Sequence, residues 1–348
     1  MARLRPRTTT LVIAVSLAAA VAAAAPSSEP WPALVTPADR FFDVRHVAGD
    51  AFVALGYNGR ILRTEDAGRS WREVRAPGRT SLTRARFVDE HVGWAVGHRG
   101  TILRTEDAGR SWTAQASGTE AALFDVDFPD PEHGFAVGDR STLLRTRDGG
   151  RTWEAHEVPI SLVGVRADAS LAISDTIYYG IDFTDAWNGW IVGEYGNIRH
   201  TTDGGETWDA QHGSLLGGAF RDAMDLPTFF GVHVEQGRGV AVGGLGKIAL
   251  LDGDGAGWRF LDGAPLGAAP IYDLVPLRRG GFVAVGAGGL VATGAAERWA
   301  RATAPTGLYG WLASADLTDA GTGLAVGSNG VLLATADWGA SWQRVTGR

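Results

Sequence analysis

The chain has 348 residues, a formal charge of -7 and no cysteine, which excludes a disulfide framework and a cysteine-borne lipid anchor. Its acidic balance argues against a general nucleic-acid binder, which needs a basic stripe to neutralise phosphates. With 49 glycines and 13 tryptophans, the composition suits many short strands joined by tight turns.

The N-terminus reads as a secretory signal. Arg3, Arg5 and Arg7 make a basic start, Leu11 to Val21 an apolar core, and Ala22, Ala23 and Ala24 a small-residue cleavage site. Cleavage after Ala24 is expected, so that residues 1–24 are lost and a periplasmic or secreted chain begins at Ala25. The alternative is an uncleaved anchor, although an apolar run of about fifteen residues falls short of the roughly 20 that span a bilayer. Cleavage removes three arginines and no acid, taking the charge from -7 to -10. Residues 25–38 form a lead-in to the folded region.

From residue 39 to residue 348 the chain repeats itself seven times. Short apolar strands end in Gly56, Gly97, Gly138, Gly193, Gly243, Gly286 and Gly327, at steps of 41, 41, 55, 50, 43 and 41 residues. In six units a tryptophan follows fifteen residues later, as Trp71, Trp112, Trp153, Trp208, Trp258 and Trp342; only Gly286 to Trp299 is shorter, by two. A period near forty residues is that of four-stranded propeller blades, which bury one another when packed radially. The expected fold is all-β, a seven-bladed β-propeller of four-stranded antiparallel blades, and a monomer.

The third unit shows the order of elements. Leu123 to Phe128 alternates as an inner strand, Gly134 to Gly138 is a buried second strand, Thr142 to Thr146 a third and Thr152 to Ala155 a fourth. The turn from third to fourth strand carries S/T-x-D-x-G-x-S/T-W, intact in five units around Asp66, Asp107, Asp148, Asp203 and Asp337. In the fifth and sixth units Gly253 and Gly294 stand where the aspartate belongs. A short aspartate bonds nearby backbone N–H groups, glycine accepts positive φ, and tryptophan supplies apolar area between sheets. These residues, with Trp71, Trp112, Trp153, Trp208 and Trp342, explain a fold and not a reaction.

This box is the Asp-box, or BNR repeat. Strings such as Gly93-Trp94-Ala95-Val96-Gly97 followed by Gly100-Thr101-Ile102-Leu103-Arg104-Thr105 resemble the photosystem II assembly and stability factor family of seven-bladed propellers, over nearly the whole mature chain. The resemblance implies a non-enzymatic, extracytoplasmic factor that binds a membrane protein or membrane-complex subunit during assembly. Members in bacteria without photosystems act as periplasmic accessory proteins, exporters being among their associates. No cofactor and no membrane insertion after signal cleavage are implied.

The competing class is a glycan-binding protein or sialidase-like glycosidase, because Asp-boxes occur there too. Sialidase chemistry needs three arginines for a carboxylate, a tyrosine nucleophile with a glutamate partner and a further acid, and no Phe-Arg-Ile-Pro arginine motif is present. Arg63, Arg104 and Arg145 recur at equivalent repeat positions and read as structural. The eight histidines form no i, i+4 pair or metal-ligand run. Asp252-Gly253-Asp254-Gly255 hints at a calcium loop, but Gly263 occupies the place of its bidentate glutamate. No metal site is expected.

Function is therefore sought in the loops that break the repeat. Connections from strand two to three and from strand four to the next blade share one face of the ring, and the Asp-box turns share the other. Both long steps place their extra residues in four-to-one connections, Pro159 to Tyr178 and His212 to Pro227, on the face of the short two-to-three loops. Those loops carry the candidate partner-binding residues Tyr57, Asn58, His98, Arg99, Asp139, Arg140, Glu194, Tyr195, Lys247 and Asn329. Arg99 and Arg140, in equivalent loops of adjacent blades, are expected side by side near the central opening.

Overall fold

A computed structural model describes residues 34–166, 175–253, 257–262 and 265–345. The chain divides into two compact units, Met1–Trp31 and Pro32–Arg348. The expected signal segment, the start of the expected lead-in, residues 167–174 of the first insertion, Asp254, Gly255 and Gly263 lie outside the described residues.

The second unit is a seven-bladed propeller. Seven four-stranded antiparallel sheets, each of four consecutive strands, occupy 41–74, 82–115, 123–156, 178–210, 229–260, 271–301 and 312–344. In the third blade the strands differ from expectation at their ends: the inner strand is Leu123–Asp127, the third Leu143–Thr146 and the fourth Glu154–His156. The second strands are buried, as Gly93–Gly97 and Gly134–Gly138 show, save for Arg238 and Phe282 at the start of the fifth and sixth, because both faces of each blade are covered by neighbours.

The repeated glycine at the end of the second strand is required by space. A Cβ on Gly97 would lie 2.1 Å from the Ser81 carbonyl oxygen, and on Gly138, Gly243 or Gly327 2.0 Å from that of Ala122, Thr228 or Trp311. Its backbone is extended, with φ of -170° at Gly243, so no left-handed conformation is involved.

The Asp-box turns are built alike. The Asp107 carboxylate accepts from the Thr105 hydroxyl at 2.8 Å, the Ser111 N–H at 2.8 Å and the Ser111 hydroxyl at 2.6 Å; Asp66, Asp148, Asp203 and Asp337 repeat the pattern. The Thr152 hydroxyl, then the Thr152 N–H, hold Asp148 down to about 2, and Thr207 does the same for Asp203. Behind each turn the box glycine meets the preceding blade. A Cβ on Gly109, whose φ is +74°, would lie 2.8 Å from Val53, and Trp112 joins Val53 in the apolar layer between the first two blades. In the sixth blade the box is reduced to a hairpin in which Ala295 pairs with Arg298, which accounts for the missing two residues.

The ring closes without strand exchange, because the first and last sheets are each built of their own four strands. Phe41, Phe52 and Leu62 of the first blade pack on Leu324, Val326 and Leu332 of the last. Asp316 accepts from the His46 N–H at 2.8 Å, and the Ser314 hydroxyl donates to Asp43 at 2.8 Å.

Candidate partner-binding face and central mouth

Every inner strand carries a bulge at its second residue. In the first blade Phe41 pairs with Gly56 and Asp43 with Leu55, so Phe42 has no partner; the same shift recurs in the other six blades. A bulge re-aims the extra side chain. Here the unpaired residues are Phe42, Thr83, Phe124, Tyr179, Phe230, Tyr272 and Ala313, and all seven line one depression of about 340 Å³.

The rings form a necklace around it. Phe124 and Tyr179 lie 5.2 Å apart between centroids, Tyr179 and Phe230 5.2 Å, and Phe230 and Tyr272 5.4 Å. Trp311 stacks on Phe42 at 5.7 Å and covers the side of the blade that contributes only Ala313. His98 approaches Phe124 edge-on at 6.4 Å. All of these rings but His98, which is exposed, are half-buried, presenting apolar faces to the depression.

The next inner-strand residues make the floor. Arg84 stands with its guanidinium 3.1 Å from Asp273, 3.3 Å from Asp125 and 3.4 Å from Asp43. Burial alone would favour the neutral guanidine, but these carboxylates outweigh it and raise the Arg84 pKa. Burial pushes Asp125 up to about 6, against the opposing pull of Arg84. Most of these acids also tie blade to blade: Asp43 accepts from the Ala85 N–H, Asp125 from Ile181, Asp127 from Phe183 and Asp182 from Val234, at 2.7 to 3.0 Å.

Further along the channel Arg45 pairs with Asp43 at 3.0 Å and Arg86 with Asp127 at 3.0 Å. The three channel arginines, Arg45, Arg84 and Arg86, are thus each engaged by aspartate rather than presented together to a ligand carboxylate. Burial opposes charging of His233, yet the Asp182 hydrogen bond and charge prevail and raise its pKa. Arg63, Arg104 and Arg145 serve the scaffold: Arg63 donates to the Ala108 carbonyl at 2.7 Å, Arg104 pairs with Glu106, and Arg145 reaches Glu206 of the next blade at 2.8 Å. Among the described residues no cluster of three metal-ligating side chains occurs.

Around the mouth stand the short two-to-three loops. Their second residue takes the left-handed conformation in Asn58, Arg99, Arg140, Tyr195, Leu245 and Asn329, with φ between 52° and 58°. Tyr57, His98 and Asn329 line a shallow depression together with Trp311. Arg99 points elsewhere, lining a separate cleft with Pro77, Gln115 and Thr119. Arg140 is exposed beside Asp139, 3.7 Å away. Neither arginine lines the mouth, so the expected pair at the central opening is not formed: Arg99 lines the side cleft with Pro77 and Thr119, and Arg140 pairs with Asp139.

Glu194 accepts the Ile177 N–H at 3.1 Å and so serves its own blade. Lys247, two positions past the tip residue Leu245, lies over the Phe220 and Phe260 rings at 5.8 and 5.7 Å. The two insertions pack on each other: Ala223 N–H donates to the Gly164 carbonyl at 2.9 Å, and His212 contacts the Val163 carbonyl at 3.2 Å.

Among the described residues the exposed large hydrophobic side chains are Tyr57, Ile160, Leu162, Val163, Trp187, Leu245 and Tyr309. All but Trp187 belong to two-to-three loops or four-to-one connections, so exposed apolar surface concentrates on the face that holds the mouth. The bulged aromatics escape sequence reasoning because strict alternation assigns one residue in two to each side, and a bulge breaks that count. Their recurrence one residue into five inner strands was the available signal.

The family pattern described as Photosynthesis system II assembly factor YCF48 matches residues 105–164, the end of the second blade and all of the third. The match spans 60 of the 348 residues, and over those residues the chain is similar to that family. The solved structure titled "YCF48 bound to D1 peptide" superposes with a TM-score of 0.64 at 17% identity, covering 88% of this chain and 97% of that one. YCF48 from Cyanidioschyzon merolae gives 0.62 at 17%, with the same coverage. A GH74 enzyme from Niastella koreensis gives 0.66 at 13% identity, covering 88% of this chain and 54% of that one. At these identities the likeness to solved structures is one of fold. No curated protein matches the chain.

Proposed function

We propose that this assembly factor-like propeller is an extracytoplasmic, non-enzymatic binding protein that holds an extramembrane segment of a membrane protein or membrane-complex subunit during assembly. The reading is carried by one observation: exposed apolar side chains and the aromatic mouth gather on a single face, opposite the Asp-box turns. The similar propeller solved with a D1 peptide supports a polypeptide as the occupant. An interface of this kind draws its energy from a few buried aromatic and aliphatic anchors rather than from area alone. The signal-like pattern of the N-terminal residues supports this reading, because export would bring the face to the compartment where such segments emerge, and an exporter is one partner of this kind. The experiment is capture of partners from native membranes with wild-type protein and with variants of either face.

The GH74 neighbour gives a glycosidase reading its own observation, and the buried channel acids with raised pKa, Asp125, Asp127 and Asp316, are where such chemistry would have to reside. Their bonds to the N–H groups of the adjacent blade favour a structural role. Release of reducing sugar from a panel of β-glucans and sialosides tests it, and sustained turnover would replace the binding reading.

A further inference from the structure

We propose that the central mouth is a receptor for one organic cation, the guanidinium or ammonium side chain of a bound polypeptide. The inference rests on reading this face as the binding face. Six rings, Phe42, Phe124, Tyr179, Phe230, Tyr272 and Trp311, wall a depression of about 340 Å³, a volume suited to a single long side chain. Aromatic faces carry negative charge density, and a cation held within about 6 Å of several of them is attracted by each.

The Arg84 guanidinium lines the depression itself, and the charge gathered around it beneath the rings is net negative. On the floor the Arg84 guanidinium faces three carboxylates, Asp43, Asp125 and Asp273, and Arg45 returns one further positive charge to Asp43, which leaves the cluster negative. At the rim the charge of Glu194 reaches Tyr179, where, after burial, it adds to the rise of its phenol pKa. A neutral apolar side chain would gain from the rings alone, whereas a cation gains from the rings and from the net negative charge of the cluster around Arg84. The cations around the mouth are occupied: Arg84, which lines the depression, is held by its three carboxylates, Lys247 lies over Phe220 and Phe260, and Arg140 is beside Asp139.

The test uses the whole propeller and two blocked tripeptides, acetyl-Gly-Arg-Gly-amide and the same peptide with citrulline, which keeps the shape of arginine and removes its charge. Binding is followed by ligand-observed NMR. The arginine peptide is expected to bind at least about fivefold more tightly than the citrulline peptide, the ratio that corresponds to about 1 kcal/mol of cation–ring attraction. Tyr179→Ala and, separately, Tyr272→Ala should each weaken the arginine peptide by a similar factor, whereas Tyr179→Phe, which keeps the ring, should not. Equal binding of both peptides, no binding of either at tens of millimolar, or retention of arginine selectivity in both alanine variants would overturn the assignment. Because the peptides need no native partner, selectivity here with no capture from membranes would count against the assembly role alone.

Discussion

Replacing Arg84 by methionine keeps a long side chain in the channel and removes the charge that three carboxylates face at 3.1 to 3.4 Å. Breaking a buried ion pair from one side costs about 3 to 5 kcal/mol, because the remaining charge stays buried. The lower end applies here: Asp43 keeps Arg45 and the Ala85 N–H, Asp125 keeps the Ile181 N–H, and any carboxylate can take a proton. With Arg84 present Asp125 is already raised to about 6, and without it the pKa must rise further. A carboxyl whose folded pKa exceeds its unfolded value destabilises the fold at high pH and ceases to do so as pH falls through the folded value. Arg84→Met should therefore lose about 3 kcal/mol at about pH 7.5 and less than half of that at about pH 5.5. Urea unfolding followed by tryptophan fluorescence at the two pH values measures both. An equal loss at both, or a larger loss at the lower pH, would refute the reasoning.

Asp107→Ala removes three hydrogen bonds from an Asp-box turn, and since the turn is partly exposed the cost should be about 1 to 2 kcal/mol, read by urea melts, with partner capture unchanged. Asp148 and Asp203 are held down to about 2, so their contribution is present above the usual carboxylate range and disappears as pH falls toward 2; the double change to asparagine should make the acid limb of an unfolding titration shallower, and an unaltered limb would count against it. Protein purified from its native host should have the intact mass of a chain beginning at or near Ala25, and retention of Met1 would contradict export by this route.

The scaffold was legible because its constraints are local and repeat. Gly97 and its equivalents are forced by a carbonyl about 2 Å from where a Cβ would stand, and the Asp-box closes within a few residues of its aspartate. A close approach imposed seven times and a local bond imposed five times leave a period in the sequence. Even the eroded sixth box kept its tryptophan, and the two-residue deficit there became a shorter hairpin.

The site was legible only as a face. Placing both insertions and the short loops on one side follows from antiparallel order alone, but aim within that side does not. Arg99 lines a side cleft and Arg140 pairs with Asp139, neither of them at the opening, and Lys247 is drawn onto Phe220, a residue of the second insertion. Phe42, Phe124, Tyr179, Phe230 and Tyr272 reach the mouth through bulges, a register event that pairing decides and composition does not record. Ring closure was equally hidden, since the Asp316 to His46 bond joins residues 270 apart.

The most direct test of the binding face compares two variants in capture from native membranes with mass-spectrometric identification. Leu162→Asp with Leu245→Asp places charge on the insertion and on the adjoining loop tip, both exposed on the face that holds the mouth; Trp187→Asp places it on the opposite face, where Trp187 is the exposed large hydrophobic residue. None of the three is buried, so melting should stay close to wild type in both proteins. The account predicts that the double variant loses a membrane protein that wild type and Trp187→Asp both retain. Capture lost with Trp187→Asp and kept in the double variant would put the functional face on the Asp-box side and contradict it.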